Sequence, residues 1–96
     1  MTILWTEHAL ACLVEIEDFI AQDDPVAAVL LVENLITRID ILKDHPLAGC
    51  RFPEVPKSRL RELVEENYRI VYPVRADSIE ILTVFESHRL YRGFEG

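Results

Sequence analysis

Residues 59–74 read RLRELVEENYRIVYPV, and their pattern is the main guide to the architecture of the chain. Two apolar-rich runs, Arg59 to Glu65 and Tyr68 to Val74, flank the polar pair Glu66-Asn67. Runs of this kind joined by a short polar turn predict an antiparallel β-hairpin. Because the second run is apolar on both faces of its pleat, we expect a central strand that is covered on both sides.

A third strand is predicted after this hairpin and two helices before it. Ile79 to about Phe85 follows a second polar turn and has the composition of a strand. Apolar residues recur at helical spacing from Glu7 to about Gln22 and from Pro25 to about Asp44. These two segments are therefore expected to be amphipathic helices that pack antiparallel against each other.

Local signals set the limits of both helices. Thr6 and Asp24 are residue types that accept hydrogen bonds from the free N–H groups of a first helical turn. Pro25 fits that turn because its missing N–H would have no partner there. His45-Pro46 ends the second helix, since the residue before proline disfavours the helical region. The short apolar segment Thr2 to Trp5 is predicted to be an edge strand.

The predicted order is β-α-α-β-β-β, which indicates an α+β fold. We expect one domain over residues 1–96, with a two-helix antiparallel hairpin packed on a small, mainly antiparallel sheet. The connector Leu47 to Ser58 is expected to be irregular and either functional or packed down by Phe52 and Val55.

The charge of the chain limits its possible partners. Seventeen acidic and ten basic side chains give a net charge of -7. Residues 1–50 hold nine acids and two bases, whereas residues 51–96 hold eight of each, so the arginines are segregated in the second half. A net negative charge opposes the approach to nucleic-acid phosphates, which favours a protein target.

No sequence feature indicates export, a membrane span or a cofactor. No apolar run is long enough to span a bilayer, and Met1 is not followed by a charged leader, so we expect a cytoplasmic protein. Cys12 and Cys50 lack metal-ligand or CxxC spacing and are expected to be reduced thiols. No metal and no other cofactor is expected, since there is neither ligand spacing nor a phosphate-cradling glycine loop.

The order and spacing of several short motifs resemble the RelE/ParE superfamily of type II toxin–antitoxin modules, and most closely its ParE-like plasmid stabilisation branch. The resemblance covers nearly the whole chain. The motifs that carry it are Trp5-Thr6, Asp24-Pro25 with Ala27-Ala28, Leu42 with Pro46, Gly49 and Arg51, Arg61-Glu62-Leu63, Tyr68-Arg69-Ile70-Val71-Tyr72, Ile79-Glu80-Ile81-Leu82, and His88-Arg89 with Tyr91-Arg92.

This resemblance implies a growth-inhibiting toxin that a cognate antitoxin neutralises by wrapping the helices and the sheet. ParE-like members block DNA gyrase and are not enzymes, whereas RelE-like members cut mRNA, most of them on the ribosome. Both use one scaffold, so the fold does not choose between them. We expect the gyrase inhibitor, with a ribosome-associated mRNA endonuclease as the alternative and a decayed toxin that retains only antitoxin binding as a second alternative.

The endonuclease alternative depends on cationic and titratable side chains. RNA cleavage through the 2′-hydroxyl needs a base, an acid and cations that hold the developing charge on phosphate. Arg59, Arg61 and Arg69 lie on adjacent predicted strands and could converge on one site with residues at the chain's end. Those residues are His88, Arg89 and Tyr91. Arg61, Arg69, His88 and Tyr91 also have ordinary alternative roles. These are a salt bridge for the two arginines, a surface position for the histidine and packing for the tyrosine.

Antitoxin binding is predicted on apolar groups that the core does not need. Val29, Leu30 and Ile36 lie beside the main apolar stripe of the second helix, and Phe85 ends the third strand. An open sheet edge is also expected at the end of the meander. A partner that supplies an amphipathic helix and a strand would cover both features.

Overall fold

A computed structural model describes residues 1–87, and it confirms the predicted α+β class and the two-helix hairpin on a mainly antiparallel sheet. The elements in chain order are β1 (Thr2–Trp5), α1 (Glu7–Ala21), α2 (Pro25–Asp40), a 3₁₀ helix (Ile41–Lys43), β2 (Cys50–Arg51), β3 (Leu60–Glu65), β4 (Tyr68–Pro73), β5 (Ser78–Ile81) and β6 (Thr83–Glu86).

The strands form two sets. β2, β3, β4 and β6 make an antiparallel sheet in that order, and β1 pairs in parallel with β5. An isolated bridge between Val74 and Ile79 connects the two sets. β4 lies between β3 and β6 and is almost wholly buried, as its apolar pattern predicts.

Two strand predictions need correction. The predicted strand Ile79–Phe85 is two strands, because the chain leaves β1 after Ile81 and joins β4 at Thr83. The predicted connector Leu47–Ser58 contains the short strand β2, which pairs with Arg61 and Glu62 of β3. Two residues are too few to show an alternating pattern, so the sequence gives no signal for β2.

The helix caps confirm the predicted start signals. The Thr6 side chain accepts from Ala9 N at 3.0 Å, and the Asp24 side chain accepts from Ala27 N at 3.1 Å. Pro25 occupies the first turn of α2. The α-helical part of α2 ends at Asp40, earlier than the predicted Asp44, because its last turn tightens into the 3₁₀ helix.

The core lies between the helices and one face of the sheet. α1 contributes Ala9 and Leu13, and α2 contributes the stripe that the periodicity predicts, with Leu31, Leu35 and Ile39 buried. These side chains meet sheet residues that include Leu63, Ile70, Tyr72, Ile79 and Ile81. Within residues 1–87, no helix is both long and apolar enough to cross a membrane.

Candidate functional site

The central strand places Arg69 on the sheet face that points away from the helices. Its guanidinium Nε donates to Glu62 at 2.5 Å, and its two terminal nitrogens donate to the two carboxylate oxygens of Glu54 at 2.5 and 2.7 Å. The guanidinium carbon lies 5.1 Å from the ring centroid of Phe52 and 5.3 Å from that of Phe85. We call these five residues the Arg69 cluster.

The Arg69 cluster holds its charges close together. The hydrogen bonds from Arg69 lower the pKa of Glu54, and the same bonds to Glu54 are the main reason that the pKa of Arg69 is raised. Only 12% of the Arg69 side chain is exposed, so solvent screens these pairs less than it screens a surface bridge. Two carboxylates surround one guanidinium, which leaves the cluster with a local charge of about -1 at neutral pH.

Arg61 lies on the opposite face of the same hairpin. It stands directly across from Tyr72, and both point to the helix side, whereas Arg69 stands across from Val64 on the other side. The sequence-based hypothesis that Arg61 and Arg69 converge on one site therefore has no support in this register. The structure brings Arg69 together with Glu62 instead, which is the salt bridge considered as its ordinary role.

Arg61 fastens the loop that precedes β2. Its Nη2 donates to the carbonyl of Gly49 at 2.5 Å and to that of Leu47 at 3.3 Å. On the same side, the Tyr72 hydroxyl accepts from Gly49 N at 3.0 Å and donates to the Pro46 carbonyl at 3.1 Å. A Cβ at Gly49 would lie 2.2 Å from the Glu62 carbonyl oxygen, so only glycine fits this close approach.

Three sequence-predicted candidates have no described geometry. His88, Arg89 and Tyr91 lie outside residues 1–87, and their role in catalysis stays a prediction. Among residues 1–87, no group of three His, Cys, Asp or Glu side chains is arranged to hold a metal ion.

The predicted antitoxin contacts lie in two different environments. Val29, Leu30 and Ile36 on α2 are 47%, 53% and 46% exposed, so α2 presents apolar area that the core leaves uncovered. Phe85 is half-buried, and its ring packs edge-on against Phe52 with centroids 6.4 Å apart. Phe85 therefore belongs to the Arg69 cluster on the sheet, away from the α2 surface.

A cleft of about 390 Å³ opens between α1 and β6. His8 and Cys12, one helical turn apart, line it together with the buried Thr83. Nε2 of His8 is 3.1 Å from Thr83 Oγ1 and 3.5 Å from Cys12 Sγ. Cys12 is not in a disulfide, so the cleft can offer a small molecule both a hydrogen-bonding group and a thiol.

The sequence did not predict that Glu54 and Phe52 are partners of Arg69. Both lie in the connector, where neither periodicity nor motif spacing predicts a partner. The available signal was the arginine within an apolar strand, because a partly buried guanidinium requires carboxylates nearby.

Comparison with known proteins identifies the family of this chain. The family described as "ParE toxin of type II toxin-antitoxin system, parDE" matches residues 3–91. The match covers nearly the whole chain, and the chain belongs to this family of toxins. The resemblance to the RelE/ParE superfamily that the motifs predicted is confirmed.

Individual relatives agree with this assignment. The chain is 38% identical over 87 residues to "Putative toxin Y4kP" of Sinorhizobium fredii, covering 91% of this chain and 88% of that protein. It is 35% identical over 89 residues to "Toxin RelE2" of Caulobacter vibrioides, covering 92% and 97%. A chain of the solved "Chromosomal ParDE TA system from P. aeruginosa" is similar with a TM-score of 0.76 and 27% identity, covering 90% of this chain and 95% of that one.

Proposed function

We propose that this ParE-family toxin inhibits growth by acting on DNA gyrase and that a cognate antitoxin neutralises it by forming a hetero-oligomer with it. The observation that carries the gyrase proposal is the state of Arg69. Its Nε and both terminal nitrogens donate to carboxylates, so the cation at the centre of the sheet is already paired.

A paired Arg69 is unsuited to the chemistry of RNA cleavage. Such a reaction needs free cations that hold the charge developing on phosphate. Here a phosphate would have to displace Glu54 and Glu62 or approach a cluster whose local charge is about -1. The net charge of -7 opposes that approach at long range as well. A protein inhibitor needs a complementary surface and no such cations.

The alternative is a RelE-like, ribosome-associated mRNA endonuclease, and the relative named toxin RelE2 keeps it open. Its catalytic groups would be drawn from Arg61, Arg69, His88, Arg89 and Tyr91. Arg61 and Arg69 lie on opposite sheet faces, so the two could not contact one phosphate in this arrangement. The alternative would then combine the last three residues with only one of these two arginines.

The test measures whether DNA synthesis or protein synthesis stops first. DNA and protein synthesis are pulse-labelled in the minutes after the toxin is induced without its antitoxin, and purified protein is added to a gyrase supercoiling assay. We expect DNA synthesis to fall first, supercoiling to be inhibited, and His88→Ala to leave both effects unchanged.

Two other results would contradict the gyrase proposal. If protein synthesis falls first, mRNA is cut and His88→Ala abolishes cutting, the chain is an endonuclease. If neither synthesis falls while the antitoxin still binds, the chain is a decayed toxin.

The exposed apolar side of α2 supports the antitoxin part of the proposal. Val29, Leu30 and Ile36 lie exposed there. An amphipathic helix from the antitoxin would bury them and gain about 25 cal/mol for each Å² of apolar surface removed from water.

The antitoxin contact is tested by Leu30→Asp against the matched variant Val64→Asp. Both positions are about half exposed, and Val64 lies on the sheet face away from the helices. We expect Leu30→Asp to weaken antitoxin binding in calorimetry by at least about tenfold and Val64→Asp to weaken it far less. Equal binding by the Leu30 variant and the unmodified toxin would place the antitoxin elsewhere.

A further inference from the structure

Three arginines gather at the edge where β2 meets β3. Arg51 and Arg61 are directly opposite in the β2–β3 register, so both side chains point to the same face. Arg59 precedes Arg61 by two positions, and all three line one cavity of about 230 Å³. Like charges that stand directly opposite each other destabilise a sheet.

No carboxylate neutralises this group within the described part of the chain. The salt bridges among residues 1–87 involve other cations, namely Arg38, Lys43, Arg69 and Arg75. The protein has seventeen acidic residues and a net charge of -7, yet three positive charges remain together without an acidic partner there. This placement contrasts with Arg69, which has two carboxylates.

Arg61, which lines the cavity, also has a donor that lacks an acceptor among the described residues. Arg61 uses Nη2 to hold the loop carbonyls, but its Nε is buried and has no hydrogen-bond acceptor among the described residues. A buried donor without an acceptor costs on the order of 1–3 kcal/mol. An oxyanion seated beside Arg61 would reduce the repulsion between Arg61 and Arg51.

The chemistry of the group selects the anion. Guanidinium groups bind carboxylates and phosphates through paired N–H donors. Three converging positive charges favour a phosphate, which carries up to two negative charges, over a carboxylate, which carries one. We infer that Arg51, Arg59 and Arg61 form a binding site for a phosphate group. This site lies on the opposite side of the hairpin from the Arg69 cluster and does not depend on gyrase being the target.

The test is a titration of the purified full-length chain with inorganic phosphate, followed by NMR of amide and arginine Nε–H signals at constant ionic strength. We expect saturable shifts at Arg51, Arg59 and Arg61. Arg51→Gln or Arg59→Gln each raises the Kd at least about tenfold, because each removes a charge-assisted hydrogen bond. Both side chains are exposed, so neither substitution disturbs the core.

Arg75→Gln is the matched control, since it removes the same charge from an exposed arginine that is paired with Glu80. We expect this variant to bind phosphate within about twofold of the unmodified chain. Shifts that never saturate, or equal weakening by Arg75→Gln and Arg51→Gln, would overturn the proposal. So would acetate binding as tightly as phosphate, because the site would then be one for carboxylates.

A second titration identifies the source of the phosphate. The site is assigned to a nucleic-acid backbone if a 12-base-pair DNA duplex binds more tightly than inorganic phosphate. In that case Arg51→Gln should also reduce the slope of log K against log salt concentration by about one. A duplex that binds no more tightly than inorganic phosphate assigns the site to a free phosphate compound.

Discussion

The two faces of the β3–β4 hairpin carry arginines in opposite circumstances. On the outer face, Arg69 lies between two aromatic rings and donates to two carboxylates. On the helix side, Arg61 donates, among residues 1–87, only to backbone carbonyls and stands opposite Arg51. Cross-strand neighbours rather than net composition therefore decide whether an arginine is available to a ligand. Four substitutions test this contrast.

Arg69→Ala should cause the largest loss. It leaves the carboxylates of Glu54 and Glu62 close together without their cation, and 13% exposure of the Glu62 side chain limits their solvation. We expect the free energy of unfolding in urea to fall by about 3 kcal/mol. Arg75→Ala, which breaks one exposed bridge of 3.4 Å, should change it by less than about 0.5 kcal/mol. Similar losses in the two variants would mean that the pairing of Arg69 with two carboxylates stabilises the fold no more than an exposed salt bridge does.

Gly49→Ala should destabilise the helix-side loop next. The added Cβ would meet the Glu62 carbonyl oxygen at 2.2 Å and the Tyr72 hydroxyl at 2.6 Å, so the loop must move and weaken the bonds from Arg61 and Tyr72. We expect a loss of about 2 kcal/mol in urea denaturation. The control is Ala48→Gly, at an exposed neighbouring position. An unchanged unfolding midpoint for Gly49→Ala would show that the loop is not held this tightly.

Glu54 should make stability depend on pH. Because Arg69 lowers the pKa of Glu54 below its usual 4.5, the unfolded chain takes up the proton first as the pH falls. The stabilisation is complete above about pH 4.5 and is lost as the pH falls through the lowered value. Glu54→Gln should therefore cost up to about 1 kcal/mol at pH 7 and less at pH 3.

Urea denaturation at a series of pH values measures this dependence, with Glu33→Gln on the exposed side of α2 as the control. The free energy of unfolding of the unmodified chain is compared with that of the Glu54 variant. If their difference stays constant from pH 7 to pH 3, the Arg69–Glu54 pair is not its source.

Arg51→Gln should have the smallest effect and the opposite sign. It removes the charge directly opposite Arg61, so at low salt we expect a gain of a few tenths of a kcal/mol. The gain should shrink when salt screens the repulsion. Thermal unfolding at two salt concentrations measures it, and a clear loss of stability would mean that Arg51 has a stabilising partner.

The sequence predicted the long elements well because their signals are repeated. The apolar stripe of α2, its Asp24 cap and the buried strand β4 all follow from periodicity and capping chemistry. The parallel pairing of β1 with β5 did not, because strand order depends on contacts between residues far apart in the chain.

The candidate site was less predictable than the fold. Arg69 was identified as a residue that needs a partner, but Glu54 lies in an irregular connector whose path no local rule gives. The relation between Arg61 and Arg69 also depends on register, and a shift of one residue would reverse which face each occupies. The α2 residues Val29, Leu30 and Ile36 could be singled out because helical spacing alone sets them off the core stripe.

The parallel ladder between β1 and β5 has a consequence for synthesis. It pairs Thr2 with Ser78 and Trp5 with Ile81, so β1 has to wait until β5 has been made before it can pair. At about 5–20 residues per second, that wait on the ribosome is roughly 4–15 seconds. The toxin fold is thus completed only after Ile81 has been made, and a chain cut short before residue 78 cannot assemble it.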